Sequence, residues 1–517
     1  MILITSAAYV SPGLVSEFGK LPPSLLPVQN RRLYEHQIAL IGKYLGEYND
    51  TQILSLPKSY VLSKYDAQLL EKQGVHPLYV PEGLNLGQSI VYVLNSTARY
   101  EEPLFVLHGD TLFAELTSEV DRYSVSTARD LYEWATAGSE NDKRVYSGFF
   151  SFSNQSLLIQ KIVENGYSFI KGVEAYSSKI ALNPIELSGW MDFGLVNSYY
   201  RSSSQLTTQR VFNNMRMTRY SVRKSSKDKR KMQAESNWML SLPSAMRHYA
   251  PSVYDHGDDF YEIEYYFLPT LANLFVYGEL SPLVWEEIIG ACLEYLRDEA
   301  NVSAPDIVTM ARQNDKLYTA KTIERLQKYA VSVGISLDHE WRINGTVVPS
   351  LNSIVSELDS AISKGDTRFA TLMHGDPCFS NMLYDFKSKT VKLIDPRGLD
   401  IDGNLSIYGD FRYDVAKLAH SIVGMYDFII GGRCNYNALG DYDVELSFEE
   451  NKVVTQSQKF FLQQQFASYT LKELSVYPIL IHLFLSMLPL HSDHPERQQA
   501  FLANALRLYV DYKNVQK

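Results

Sequence analysis

Met373-His374-Gly375-Asp376-Pro377-Cys378-Phe379-Ser380-Asn381-Met382-Leu383-Tyr384 is followed, after a short polar run, by Val391-Lys392-Leu393-Ile394-Asp395-Pro396-Arg397-Gly398. An Asp with an Asn five residues later can present a carboxylate and an amide oxygen from a single tight loop. The apolar pieces Leu383–Tyr384 and Val391–Ile394, on either side of Asp385-Phe386-Lys387-Ser388-Lys389-Thr390, predict a hairpin with Asp395 at its exit. Phosphoryl transfer needs these parts and few others. One carboxylate accepts or orients a hydroxyl proton, and oxygen ligands hold Mg²⁺ against nucleotide phosphates.

Outward from that segment, the chain has 517 residues, which calls for more than one core. It carries 49 Lys+Arg against 59 Asp+Glu, a net charge of −10. A broad basic surface for nucleic acid is therefore not expected. With 45% hydrophobic and 21% charged residues, the composition is neither disordered nor membrane-like. Cys292, Cys378 and Cys434 form no CxxC pair and no disulfide framework, which suits a reducing cytoplasm. Met1-Ile2-Leu3-Ile4-Thr5 lacks the basic region of a secretory signal. The longest apolar stretch, Tyr477 to Leu490, contains His482 and two prolines. It is short of the roughly 20 residues a membrane span needs and predicts a buried helix, so no transmembrane segment is expected.

Up to residue 210, short apolar runs (Ile2–Thr5, Gln52–Leu56, Pro77–Val80, Leu104–Leu107) alternate with helical stretches (Tyr34–Tyr48, Leu86–Arg99). That alternation predicts a mainly parallel sheet covered by helices. Val145–Phe152 and Tyr167–Val173 read as later strands, added antiparallel. Basic residues then cluster over Arg210–Lys231, a composition shift that marks a domain junction. The cluster lacks an aromatic platform and sits in an acidic chain, so it reads as a solvated edge with one or two residues assigned to phosphate. Ser221–Arg223 and Tyr261–Tyr265 read as strands. The remainder is helical except for the loop and hairpin at Thr371–Asp395.

The His374-Gly375-Asp376 loop with Asn381, and the Ile394-Asp395 step, resemble the aminoglycoside phosphotransferase and choline kinase superfamily, which shares the protein-kinase fold. That resemblance implies Asp376 as catalytic base and Asn381 and Asp395 as Mg²⁺ ligands. It also implies a strand lysine that reaches the nucleotide phosphates and pairs with a helix glutamate. Lys224, at the end of Val222-Arg223-Lys224, and Glu235, on a helix over Lys231–Leu242, are the candidates; Lys227 and Lys229 compete for the lysine's place. No Gly-rich loop precedes them, and Phe212-Asn213-Asn214-Met215 is expected to stand in the turn. Glu262–Tyr265 is the strand expected to lead to the adenine hinge. Asp410-Phe411-Arg412-Tyr413-Asp414-Val415-Ala416-Lys417-Leu418 resembles the family's helix-start motif, in which Asp414 braces the catalytic loop.

Toward the N-terminus, Leu104-Phe105-Val106-Leu107-His108-Gly109-Asp110 is a strand ending in Gly-Asp, where an open α/β sheet presents ligands. It is not a second kinase loop, because Glu115 stands five residues after Asp110. Leu25-Leu26-Pro27-Val28, then Leu33-Tyr34-Glu35-His36, and later Gly189-Trp190-Met191-Asp192-Phe193-Gly194, resemble the nucleotidyltransferases that make nucleotide sugars and CDP-alcohols. The resemblance implies Asp110 and Asp192 as paired metal-binding carboxylates, with Gly87-Gln88-Ser89 near the nucleobase. There are departures. Ser6-Ala7-Ala8-Tyr9-Val10-Ser11-Pro12-Gly13 replaces the family's Gly-rich, arginine-bearing triphosphate loop, and the family lysine falls on Pro23.

Together these readings predict an α/β fold class in two parts. Residues 1–210 form a nucleotidyltransferase-like, Rossmann-like mixed-sheet domain. Residues 211–275 and 276–517 form the N-lobe and helical C-lobe of an α+β protein-kinase-like fold. The resemblances imply a cytoplasmic phosphotransferase using Mg²⁺ and ATP on a small-molecule hydroxyl (a sugar, polyol or amino alcohol). A second NTP, CTP or UTP, would serve the first domain. Such fusions suit bacterial surface-polysaccharide (capsule) assembly, with glycan-synthesis proteins or a second copy of the chain as associates. Two alternatives stand beside this one: a kinase whose N-terminal domain only binds substrate or glycan, and a pseudoenzyme scaffold in a glycan-synthesis complex. Cys378 reads as packing, and His482, His491 and His494 as structural or solvent-facing rather than as metal ligands.

Overall fold

The computed structural model describes residues 1–48, 51–127, 144–206, 213–218, 220–314 and 316–516. They gather into two compact units, Met1–Leu206 with Tyr277–Glu279, and Thr207–Val276 with Leu280–Lys517. The expected junction at 210, the turn residue Phe212 and Arg219 of the basic cluster lie outside the described residues.

The first unit is built on a seven-stranded mixed sheet. Its order is Asn183–Glu186, Arg122–Thr127, Arg144–Phe152, Leu104–His108, Ile2–Thr5, Gln52–Pro57 and Val75–Val80. Ile2–Thr5 pairs in parallel with both Gln52–Pro57 and Leu104–His108, and Gln52–Pro57 pairs in parallel with Val75–Val80. Met1, Ile2, Leu3 and Ile4 are all buried. Helices cover both faces of such a strand, which therefore reads as an unbroken apolar run. Arg144–Phe152 enters antiparallel to Leu104–His108, as the sequence led us to expect. The helix Leu86–Thr97 starts on a reciprocal cap. Asn85 Oδ1 accepts from the Gln88 amide and Gln88 Oε1 accepts from the Asn85 amide, each at 2.9 Å.

One expectation fails in this unit. Residues 167–173 are not a strand; they lead into the helix Phe169–Ser177. Gly166 and Tyr167 both take left-handed backbone angles, φ 64° and 63°, which break any extended run. Phe169, Val173 and Tyr176 then recur at helical spacing on one buried face.

In the second unit, Asn213–Met217, Ser221–Ser226, Phe260–Glu264 and Val253–His256 form an antiparallel sheet in that order. Asn213 to Met215, expected in a turn, are therefore strand residues. The helix Lys229–Ser241 packs beside this sheet, its first turn capped by Asp228 Oδ1 accepting from the Lys231 amide at 3.1 Å. Met232, Glu235, Ser236 and Met239 share its buried stripe, so the helix period carries a carboxylate into the interior.

The predicted hairpin is present as Met382–Asp385 against Thr390–Leu393. The rest is largely helical and centres on Val476–Met487, which is buried on nearly every side against Phe411–Ile422 and Pro495–Gln516. Its His482 is a core residue, with Nδ1 at 3.0 Å from Thr322 Oγ1. A second four-stranded sheet interrupts the expected helical run: Thr346–Val348, Trp341–Ile343, Asp443–Ser447 and Asn435–Gly440. Its members are short or polar, and Asn435–Gly440 is mostly exposed. Hydrophobic alternation therefore does not announce it. Among the described residues no helix is long and apolar enough to cross a membrane.

Candidate functional site

The loop from Met373 to Asn381 is fixed from below by buried hydrogen bonds. Asp414, in the first turn of Phe411–Ile422, accepts from the His374 amide at 2.6 Å and the Gly375 amide at 2.9 Å. Glu299 Oε1 accepts from the same His374 amide at 3.3 Å. Both carboxyls have no solvent exposure. Burial lifts Asp414 to about 6 and lifts Glu299, which also feels the Asp414 charge, well above its usual range. Trp238 Nε1 donates to the Met373 carbonyl at 2.8 Å, tying the loop to Lys229–Ser241. Gly375 is required at its place: φ is 82°, and a Cβ there would stand 2.6 Å from Arg397 Cβ.

Asp376 emerges at the top of this support with its side chain 40% exposed. Asn381 Nδ2 donates to its carbonyl at 3.0 Å and to its Oδ2 at 3.1 Å. The Lys417 ammonium lies 2.8 Å from its Oδ1. Burial would raise the acid, but Lys417 outweighs it and brings the carboxyl to about 2. Asp376 is thus an ionised, oriented acceptor at any ordinary pH. Cys378 is buried, and burial pushes its thiol up, away from nucleophilic use.

The open end of the hairpin joins Asn381 to Asp395. Met382 pairs with Leu393, and the Ile394 amide donates to the Asn381 carbonyl at 3.0 Å. Asp395, with φ 57°, then turns back to accept from Lys224 Nζ at 2.9 Å. Lys224 also donates to Glu235 Oε2 at 2.8 Å, and Tyr261 OH donates to the same oxygen at 2.7 Å. Of the three lysines considered, Lys224 is the one that reaches Glu235. Burial alone would lower its ammonium, but Asp395 and Glu235 reverse that and hold it above the usual lysine range. Burial and the Asp395 charge raise Glu235, against the opposing pull of Lys224. Two carboxylates share one cation here. The oxygen donors of Asn381 and Asp395 fit Mg²⁺, which takes one or two protein ligands and completes its shell with water and phosphate oxygens.

In the first unit, Asp110 follows Leu104–His108 and Asp192 ends the two-residue strand Met191–Asp192, which pairs with Thr111–Leu112. The Phe193 amide donates to the Asp110 carbonyl at 2.8 Å. Both carboxylates flank Gly194: a Cβ on that residue would lie 2.8 Å from Asp110 Oδ2 and 3.4 Å from Asp192 Oδ1. The pair is a hard-oxygen set that also suits Mg²⁺. Ser89 lines a separate cavity of about 110 Å³ with Thr5, Ser6, Pro23 and Ser55. Gly87 faces elsewhere; a Cβ there would meet the Tyr167 carbonyl oxygen at 2.2 Å, so its small size serves helix packing. The Lys20 ammonium stands 4.1 Å over the Tyr9 ring. Among the described residues no three His, Cys, Asp or Glu side chains converge as a ready-made metal cage.

Sequence reasoning missed some supports. Lys417 lies within the quoted 410–418 motif, three residues after Asp414 and on the same helix face, a spacing that could have flagged it. Gln37 follows His36 and is fully buried. Its Nε2 donates to the carbonyls of His108 at 3.0 Å and Thr111 at 2.8 Å, holding the turn that carries Asp110. No local signal marks that role.

The first unit is a mixed α/β domain and the second an α+β domain with a large helical part. No family model matches the chain, and no curated protein matches it. Solved structures do match, each over part of it. CTP:phosphocholine cytidylyltransferase from Streptococcus pneumoniae matches over 40% of this chain and 98% of its own, at 17% identity and TM-score 0.29. The inositol-1-phosphate CTP transferase from T. maritima matches over 40% and 95%, at 14% identity and TM-score 0.30. The aminoglycoside phosphotransferase APH(2'')-Ib, ADP-bound, matches over 58% of this chain and 90% of its own, at 12% identity and TM-score 0.35.

Proposed function

We propose that the second unit transfers a phosphoryl group from ATP to a hydroxyl of a small molecule. The observation that carries this reading is the set around Asp376. A half-open carboxylate is clamped by Asn381 and Lys417 and borne on the loop whose hairpin leads directly to the Asp395–Lys224–Glu235 cluster. Asp376 receives and orients the acceptor hydroxyl. Because Lys417 keeps it a weak base, its contribution is alignment more than early proton removal, which suits a loose phosphoryl-transfer transition state. Lys224 directs its ammonium at the nucleotide phosphates, and Glu235 fixes that lysine. Asn381 and Asp395 would hold Mg²⁺, which, when bound, neutralises charge on the phosphate oxygens. Asp414 and Glu299 keep the loop rigid beneath the reacting groups.

For the first unit we infer binding of a nucleotide or sugar phosphate, with Asp110 and Asp192 as the Mg²⁺ ligands. The fusion would then make an activated sugar or polyol precursor for a surface polysaccharide, using CTP or UTP. A specific observation favours the second reading, binding without catalysis: Ser6–Gly13 holds no arginine, and Lys20 is drawn onto Tyr9. Pyrophosphate release from each NTP with a panel of sugar phosphates separates the two, since only an active transferase produces it. For the kinase unit the test is ADP release from MgATP with acceptor pools, alongside direct MgADP binding. A chain that binds MgADP and releases ADP with some acceptor supports the reading. One that does neither is a scaffold.

A further inference from the structure

A second cleft, of about 550 Å³, opens beside the catalytic loop and is lined by Lys321, Arg325, Lys328, Arg397 and an apolar wall that includes Leu399 and Pro489. Its volume suits a small molecule. It starts within a residue or two of Asp376. The Arg397 amide donates to the His374 carbonyl at 2.8 Å, and the Arg397 stem packs on Gly375. Arg397 Nη2 donates to Tyr413 OH at 3.0 Å, and Tyr413 shares the helix Phe411–Ile422 with Lys417. No lining residue comes from the 213–264 sheet and helix that carry Lys224, so the cleft is distinct from the Lys224–Glu235 cluster.

Its charge is lopsided. Among the described residues, no carboxylate lies within ion-pair distance of Lys321, Arg325 or Arg397. The two acids in the lining are occupied: Glu324 pairs with Lys328 at 2.6 Å, and Asp400 accepts from the Asn404 amide at 2.8 Å and from Gln313 at 3.1 Å. The Asp376 charge is itself met by Lys417. A cationic amino alcohol entering here would meet three cations, Lys321, Arg325 and Arg397, against one carboxylate, Asp400, that has no cation of its own. An anion would meet guanidinium forks shaped for carboxylate and phosphate oxygens.

We propose that this cleft is the acceptor subsite and that the acceptor is an anionic polyol, a hydroxyl compound bearing a phosphate or carboxylate. The inference rests on the phosphotransfer reading above and narrows its substrate class. The apolar wall takes the carbon face of the polyol, Arg325, Lys321 and Arg397 take its anionic group, and a free hydroxyl is left at Asp376.

The test uses the full chain and four probes: glucose 6-phosphate, glucuronate, glucose and glucosamine, assayed by ADP release. Inorganic phosphate binding in the presence of MgADP is measured as well. Expected are a kcat/KM at least tenfold higher for one of the two anions than for glucose or glucosamine, and phosphate binding competitive with that anion. The phosphate and carboxylate arms say which group is preferred. Arg325→Gln and, separately, Lys321→Gln should raise KM for the anion about tenfold or more with kcat nearly unchanged. MgADP affinity should be unaltered, and Arg325→Lys should recover much of the loss. Preference for glucose or glucosamine, or an unchanged KM in both variants, overturns the proposal. If the wild type releases no ADP with any probe and does not bind MgADP, the phosphotransfer reading fails by itself. Phosphate binding then decides the cleft alone: loss in both variants sustains an anion site, and undiminished binding removes it.

Discussion

Replacing Lys224 with Met would leave two carboxylates, Glu235 and Asp395, facing each other without their shared cation. Lys224 and Glu235 are 5% and 2% exposed at their side chains, so water cannot substitute. Removing one partner of a buried pair typically costs about 3–5 kcal/mol. Tyr261 still donates to Glu235 Oε2 at 2.7 Å, and Lys231 stands 3.7 Å from Oε1, so the low end applies, about 3 kcal/mol. Glu235→Gln keeps an acceptor for Tyr261 and leaves Lys224 with Asp395, so its cost is smaller, about 1–2 kcal/mol. In the double variant the uncompensated charge of the first is gone, and the losses should fall short of their sum by about 1–2 kcal/mol. Urea unfolding followed by tryptophan fluorescence, with Trp238 on the helix that carries Glu235, reads the cycle. MgADP affinity in the same four proteins reads the site. Additivity within about 0.5 kcal/mol, or undiminished MgADP binding in Lys224→Met, would refute the reasoning that this pair is one energetic unit facing the nucleotide.

Three further outcomes follow from the same geometry. Asp414→Ala orphans the buried Gly375 amide and leaves the His374 amide only its longer bond to Glu299, and should cost about 3 kcal/mol, with Asp414→Asn recovering part; equal stability of the two variants by chemical denaturation would remove the bracing role. Gly398→Ala forces a side chain into φ 63° with its Cβ 2.0 Å from the Ala234 carbonyl oxygen, on the helix that carries Glu235. A loss of about 3 kcal/mol or more and weakened MgADP binding are expected, and neutrality in a thermal melt would contradict the packing. His482 is buried and its imidazole is pushed down to about 4 from 6.5, mainly by burial. A folded-state pKa below the unfolded one means its contribution is complete above about pH 6.5 and is lost as pH falls toward 4. At about 1.4 kcal/mol per pH unit that amounts to about 3 kcal/mol. Melting temperature against pH should decline more gently over that window in His482→Gln, and identical slopes would contradict the assignment.

The parts of this molecule written in short spacings were legible in its residues. Asp376 and Asn381 share one loop, and the alternation after them announces the hairpin that delivers Asp395. The central strands were legible because burial on both faces makes them short, mainly apolar runs. Long-range partners were harder. Lys224 could be narrowed to a cluster of lysines, but only the fold shows which one meets Glu235, because strand register decides which side chain turns inward. Lys417 hid in a helix face, and Gln37 in an unremarkable position. Residues 167–173 misled because β-branched and aromatic residues suit either state, and the decisive left-handed pair at Gly166 and Tyr167 is a backbone property. The sheet of Trp341–Ile343 and Asn435–Gly440 went unseen because a three-residue strand and an exposed edge carry almost no periodicity.

The central claim is that Asp376 orients a hydroxyl for attack on ATP. It is tested most directly by single-turnover transfer of γ-labelled phosphate from MgATP to the acceptor in wild type and in Asp376→Asn. Asn keeps the size and removes the charge that Lys417 and the hydroxyl both require. A fall of about a hundredfold or more in the transfer rate, with MgADP affinity unchanged, is the predicted result. Transfer at the wild-type rate would contradict the account.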